Sequence, residues 1–386
     1  MRIAILGSVA LPVPPPAQGG TEWIAYYQAK GLSERGHKVI LFSAKGSKKE
    51  NYELVEVGMG DTVAGSNIAM GPAARVSQGD ASSRSPLAHS PFGEASLGNP
   101  SLASPALLNV ESSRNLRKEN VYLARVVQHL IDRKYDYDII LNNMRGEAIF
   151  LPVAKMLNKP FVNVMHLPLF DRLAEIFKEY NTHIITISNA QRKEFPDLNY
   201  LATVNNCVDT DQYTLNTVPE DYLLMMGSIA PHKNQAGAIR IAKKLGMKLV
   251  LAGKIGNQDY FDSLKADIDG TEIKWIGELA FPDKLKLYQK AKVFIFPILW
   301  QEPFGLVLIE AMACGTPVVA FGNGAITEVV VDRKTGFVID NDSEENMIEA
   351  IKKIDSINRT DCRKYVEENF SVNKIVGDYE KTLFSI

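Results

Sequence analysis

The chain has 386 residues, of which 46% are hydrophobic and 23% charged, and its net charge is -2. That length exceeds one ordinary core and suits two domains of roughly 150 to 200 residues facing a cleft, and the near-neutral balance argues against nucleic acid, which needs Lys and Arg clustered on one face. No apolar run approaches the roughly 18 residues of a membrane span, and Cys207, Cys314 and Cys362 are odd in number and too widely spaced for a disulfide framework or a zinc site.

Residues 2–7 carry one basic side chain and a short apolar stretch that turns at once into Pro and Gly, which reads as a first strand rather than a signal peptide and predicts a cytoplasmic protein. Peripheral contact with a membrane surface is left open. The loop that follows, VPPPAQGGTE, joins this strand to a helical pattern over residues 22–35, and residues 39–43 form a second apolar run. Strand, helix, strand opens a parallel doubly wound sheet, and in such sheets ligands lie at the ends of the strands. The Gly19-Gly20 pair would let backbone approach a phosphate or a sugar. It is not a dinucleotide fingerprint, because GxGxxG is absent and the second strand ends in Ser43-Ala44-Lys45 rather than an acid.

From residue 60 to about 108 the chain is rich in Gly, Ala, Ser and Pro, has Phe92 as its single aromatic residue and follows neither hydrophobic period. This stretch reads either as a surface insertion or mobile loop, or as a lid on the acceptor side. The strand series then resumes at residues 137–141, 161–165 and 183–187. His166 ends the second of these strands and points to the same crevice as the first loop. A polar stretch near residues 205–218 separates this series from a second one at 222–226, 248–252, 273–276, 293–296 and 317–321. Two α/β domains are therefore expected: residues 1–207, residues 208–371, and a last amphipathic segment, 372–386, without a strand after it and free to cross back. Within the linker, Asp209-Thr210-Asp211 has the form of a metal-binding DxD pattern but falls at a domain junction, where a capping role is expected and no metal is required.

The chemistry concentrates in residues 300–315, WQEPFGLVLIEAMACG. Pro303 and Gly305 precede an apolar helical run that stops at Gly315, so a helix starts near Gly305 with backbone N–H groups unobstructed by a Cβ, and its dipole favours a diphosphate. Glu302 sits in the loop and Glu310 more than a turn into the helix. Two carboxylates spaced for two diols suit a nucleotide sugar. Upstream, Gly227-Ser228-Ile229-Ala230-Pro231-His232-Lys233-Asn234 follows the first strand of the second series.

These residues, with the flanking AMACGTPVVA, Gly322-Asn323-Gly324 and Glu328-Val329-Val330, resemble the EX7E signature of retaining glycosyltransferases of family 4. The wording FPILWQEPFGLVLIEAMACGTPVVAF is especially similar to a subgroup that includes UDP-glucose-dependent glucosyltransferases of pterin-type molecules such as tetrahydrobiopterin. The resemblance covers most of the chain outside residues 60–108 and implies the GT-B fold, two Rossmann-like domains across a cleft. By the same resemblance Glu302 contacts the donor sugar, Phe304, Gly305 and Leu306 border the diphosphate, and Glu310 holds the ribose. Gly227–Asn234 looks like the family's phosphate loop, in which Lys233 neutralises the leaving diphosphate. Ser228 stands where an Arg is usual, so either another cation substitutes, with His232 one candidate, or the activity is weaker or the donor unusual. VPPPAQGGTE and His166 also resemble family segments, which implies that Gly19, Gly20 and His166 serve the acceptor, with Gly20 reaching the donor and His166 lying at the reacting carbon. The residues 187–190 and 205–209 are similar to further family segments. The implied reaction is metal-independent hexose transfer with retention from a nucleotide diphosphate sugar, UDP-glucose first among candidates, to a small molecule, glycan or lipid, catalysed through His166, Lys233 and Glu302 without a cofactor. An epimerase of the same fold, or a non-catalytic nucleotide-sugar binder, are the alternatives.

Overall fold

The protein is described here from a computed structural model, which covers residues 1–16, 19–62 and 105–386, with side chains omitted at 105–111. The first unit is a parallel sheet of β1 (Arg2–Ser8), β2 (Lys38–Ser43), β3 (Glu53–Glu56), β4 (Ile139–Asn142), β5 (Phe161–Met165), β6 (His183–Thr186) and β7 (Tyr200–Thr203), in the spatial order β3-β2-β1-β4-β5-β6-β7. Its helices are α1 (Gly20–Glu34), α2 (Pro105–Asp132), α3 (Glu147–Leu157) and α4 (Asp171–Tyr180). The second sheet runs β8 (Tyr222–Met226), β9 (Lys248–Ala252), β10 (Ile273–Trp275), β11 (Val293–Phe296), β12 (Val318–Phe321) and β13 (Gly336–Ile339), in the order β10-β9-β8-β11-β12-β13. Around it lie α5 (Gln235–Leu245), α6 (Gln258–Leu264), α7 (Phe281–Lys290), α8 (Leu306–Ala313), α9 (Ile326–Val329) and α10 (Glu344–Lys352), followed by α11 (Arg359–Phe370) and α12 (Val372–Leu383).

The central strands are near-continuous apolar runs, such as IAIL in β1 and LLMM in β8, because helices bury both faces of each sheet. The chain reverses its direction of winding between β1 and β4 in the first sheet and between β8 and β11 in the second. At these two points neighbouring loops diverge and leave crevices beyond the strand ends.

The expectation of an unpatterned stretch over 60–108 is corrected at its end, since α2 begins at Pro105; residues 63–104 lie outside the described part. At the other end Asp61 accepts hydrogen bonds from Lys118 Nζ (2.8 Å) and Tyr122 Oη (3.1 Å), which fastens the chain to α2.

The last helix packs on the first unit. α12 lies against α1, and a Cβ on Gly31 would stand 2.7 Å from Val376 Cγ2, so glycine sets how closely the two helices approach. Glu380 accepts from Arg35 Nη1 (3.1 Å) and lies 2.8 Å from His37 Nε2. A second fastening comes from Glu328, whose carboxylate accepts from the backbone N–H groups of Asn189 (2.8 Å) and Ala190 (2.7 Å). Both fastenings tie the second half of the chain to the first unit. Among the described residues, no helix is long and apolar enough to cross a membrane.

Candidate functional site

Two cavities meet at the start of α1. The larger, of about 400 Å³, opens between the two units where Gly19 and Gly20 face the loops after β8 and β9 and the start of α8. The smaller, of about 230 Å³, lies within the first unit beyond the ends of β1, β4 and β5, and takes its wall from Thr21 and Glu22. One turn of helix therefore borders both.

In the larger cavity the start of α8 is capped by Gly305, at φ 89°, with no side-chain hydrogen bond. The left-handed conformation excludes most other residues there, and the first N–H groups of the helix are left for a ligand. Leu306, Val307 and Glu310 line the wall. Opposite, a Cβ on Gly20 would fall 2.6 Å from Leu306 Cδ1, so a larger residue there would force the Leu306 side chain to move.

Glu310 is held by three donors: Tyr213 Oη (2.8 Å) and Lys284 Nζ (2.8 Å) on Oε1, and Tyr288 Oη (2.7 Å) on Oε2. A carboxylate has about four acceptor sites, so Glu310 retains room for one ligand hydroxyl, and taking both hydroxyls of a diol requires one of these donors to swing away. Burial, followed by the neighbouring Glu310 charge, pushes both tyrosine pKa values up and keeps the two phenols protonated as donors.

Lys233 lines the same cavity, and its Nζ donates to Glu302 Oε2 at 2.9 Å; Trp300 Nε1 donates to the same oxygen at 2.9 Å. The ammonium also stands 4.8 Å from the Trp300 ring centroid. Asn234, at φ 60°, caps α5 by accepting from the Gly237 N–H and ends the turn that carries Lys233. Ser228 lines the cavity with a short neutral side chain. His232 does not line it: its ring packs edge-on against Trp300, and burial followed by the Lys233 charge lowers its pKa, which keeps it neutral near pH 7. Of the alternatives left open by Ser228, a neutral His232 outside the wall does not favour substitution by this residue.

Phe304 requires a second correction. Its side chain is buried and meets Phe370 edge-on with ring centroids 5.8 Å apart, so its ring belongs to the contact between α8 and α11 and not to the cavity wall. Glu302 likewise stands behind the wall, joined to the cavity through Lys233.

His166 opens onto the smaller cavity, apart from Gly19 and Gly20. Its Nε2 lies 2.9 Å from Asn143 Oδ1, and Asn143 in turn bonds Gln28 of α1 at 2.7 Å. Burial lowers the imidazole pKa to about 4, so the ring is neutral near pH 7. Around it stand Glu22, Glu119, Arg145 and Glu147. Glu22 accepts from Ser8 Oγ at 2.9 Å, and burial raises the pKa of both Glu22 and Glu147. The sequence reading missed these acids, as it missed Tyr213, Lys284 and Tyr288. For Glu22 and Glu147 a signal existed, since each is an acid in the first turn of a helix that follows a strand.

Asp209, in the DxD pattern, accepts from the Asp211 N–H (3.2 Å) and Gln212 Nε2 (2.6 Å), a self-capped turn in the linker.

Residues 211–369 match a family model described as "Glycosyl transferases group 1". Among curated proteins, the O-antigen chain mannosyltransferase RfbU of Salmonella typhimurium is 27% identical over 184 residues, 45% of this chain and 51% of that protein. The O-antigen chain mannosyltransferase B of Escherichia coli is 36% identical over 131 residues, covering 31% and 33%. The chain thus spans about half, or less, of the length of these relatives. Over its whole length it is similar in fold to Anabaena HepE, solved with UDP, at a TM-score of 0.70 and 17% identity with 100% of both chains covered. It is also similar to AviGT4, a glycosyltransferase of avilamycin A biosynthesis, at a TM-score of 0.61 and 20% identity, covering 99% and 96%. The fold is GT-B, and the match to the group 1 glycosyl transferase model falls within its second unit.

Proposed function

We propose that the protein is a retaining glycosyltransferase that binds a nucleotide diphosphate sugar in the larger cavity and transfers the hexose to a hydroxyl of an acceptor held in the smaller one. The observation that carries this reading is the start of α8, whose Leu306 and Val307 line the cavity together with Lys233 and Glu310 and whose Leu306 meets Gly20 of the first unit. A diphosphate at the helix N-terminus places the ribose toward Glu310 and the sugar toward the border with the His166 cavity. Lys233 and the helix N–H groups stabilise the departing diphosphate, a contribution typically of about 10²- to 10³-fold per group. The acceptor hydroxyl attacks from the leaving-group face through an oxocarbenium-like transition state, and the departing phosphate takes its proton. Neutral His166 lies at the sugar and acceptor rather than acting as a cation.

UDP-glucose is the first candidate donor, supported by the subgroup resemblance and by the UDP held by the similarly folded HepE. The relatives' names, which specify mannosyl transfer to O-antigen chains, support a glycan as one acceptor class and leave GDP-mannose as a second donor to assay. The test is calorimetric titration with UDP-glucose, GDP-mannose and ADP-glucose, followed by measurement of nucleotide release with an acceptor panel. Binding of one donor with acceptor-dependent release of its nucleotide supports the reading; no binding of any donor overturns it.

Ser228 favours one second reading, a non-catalytic nucleotide-sugar binder. It would bind a donor and release no nucleotide with any acceptor or with water.

A further inference from the structure

Three lysines line the cavity between the units: Lys233, Lys254 and Lys284. Two of them are already committed to carboxylates. Lys233 pairs with Glu302 at 2.9 Å and Lys284 with Glu310 at 2.8 Å. Among the described residues the exposed Lys254 forms no ion pair and its ammonium no hydrogen bond, so it is the cavity lysine not committed to a carboxylate.

Its position is fixed by backbone. The loop that carries Lys254 after β9 is zipped to the loop that carries Ser228 after β8: the Gly227 N–H donates to Ala252 O (2.9 Å), the Ile229 N–H to Lys254 O (2.9 Å) and the Gly256 N–H to Ile229 O (3.0 Å). Ile229 and Ile255 form an isolated parallel bridge. A Cβ on Gly253 would collide with Gly227 O at 2.0 Å, which brings the two loops into backbone contact at the position before Lys254. A cation at 254 and a cation at 228 would therefore serve neighbouring parts of one site. Ser228 cannot supply one, and His232 is neutral and outside the cavity wall.

We propose that Lys254 is the second diphosphate-binding cation of this protein, a charge carried on the β9 loop in place of one at position 228. The inference rests on the reading of the cavity as a nucleotide diphosphate site. It assigns Lys233 and Lys254 to the same anion, with Lys233 exchanging part of its bond to Glu302 for a phosphate oxygen when the ligand arrives. A lysine suits this task as a mobile point charge on a flexible stem.

Titration of the protein with UDP and with uridine tests the assignment, using the wild type, Lys254→Met, Lys254→Arg and the pair Lys254→Met/Ser228→Arg. Removing one charge-assisted contact is expected to weaken UDP about 10-fold, to leave uridine unchanged, and to reduce the loss of UDP affinity between 50 and 300 mM NaCl. Lys254→Arg retains UDP affinity, and Ser228→Arg restores it in the Lys254→Met background. Unchanged UDP affinity in Lys254→Met, or equal losses for UDP and uridine, would overturn the proposal. If the wild type binds UDP, only the lysine assignment falls; if it binds neither UDP, GDP nor ADP, the donor reading falls with it.

Discussion

Lys233 Nζ and Glu302 Oε2 lie 2.9 Å apart, with side-chain exposures of 15% and 12%, so the cavity lysine is aimed by an acid that stands behind it. Lys233→Met is expected to lower turnover by about 10²- to 10³-fold through the departing diphosphate. Glu302→Gln keeps the Trp300 bond but removes the counter-charge, leaving a half-buried ammonium at a cost of about 1 to 3 kcal/mol. Urea unfolding of Glu302→Gln with and without UDP checks this: an added diphosphate recovers part of the lost stability, and a loss untouched by UDP contradicts the pairing.

Glu310 is expected to govern nucleotide affinity. Its replacement by Ala strands Tyr288 Oη, which is buried, and frees Lys284. Nucleotide affinity should fall by about 2 kcal/mol, the scale of charge-assisted bonds, with a smaller change in turnover. Tyr288→Phe removes one of three donors and should cost about 1 kcal/mol. Calorimetry on both variants checks the order, which reverses if Glu310 is merely a core carboxylate.

Gly20→Ala should obstruct the approach of the two units, because the added methyl meets Leu306 Cδ1 at 2.6 Å. The neighbour is a flexible side chain, so Leu306→Ala should relieve the effect. A double-mutant cycle on kcat/KM is expected to show a coupling of about 1 to 2 kcal/mol, and strict additivity would mean that the contact does not form during turnover.

The His166 pKa, near 4 in the folded chain against an ordinary 6.5, makes stability depend on pH. Between these values the unfolded chain binds the extra proton, so stability is lost as pH falls through this window. From pH 7 to pH 4.5 the loss attributable to this ring is about 2 to 3 kcal/mol. His166→Gln should lose correspondingly less stability over that interval in urea unfolding. It should also lower turnover more than donor affinity, whereas Glu310→Ala does the reverse; equal kinetic losses would contradict both roles.

What the sequence allowed depended on whether the relevant residues are neighbours in the chain. Residues 302–310 form one loop and one helix, so the Glu, Gly, Glu order and the helix start at Gly305 could be read directly. The three donors to Glu310 could not, because Tyr213 comes from the linker and Lys284 and Tyr288 from α7, and only the fold brings them together. Phe304 shows the converse. Its place in the motif was legible, but the direction of its ring is decided by packing against Phe370. In the sheets, β1, β2, β5 and β8 stand out as buried apolar runs, whereas the edge strands β3 (ELVE), β7 (YLAT) and β13 (GFVI) are short and partly exposed and carry no such signal. The start of α2 was hidden for another reason: Pro105 follows directly on a Ser- and Pro-rich segment, and its helical period emerges only further along.

Proton NMR of the first-formed sugar product, with the protein supplied with the α-configured donor it binds, tests the proposed retaining transfer most directly. An α-linked product, formed in equal amount with free nucleoside diphosphate and lost in Lys233→Met, is the predicted result. A β-linked product, or an epimerised donor with no sugar transferred, would contradict it.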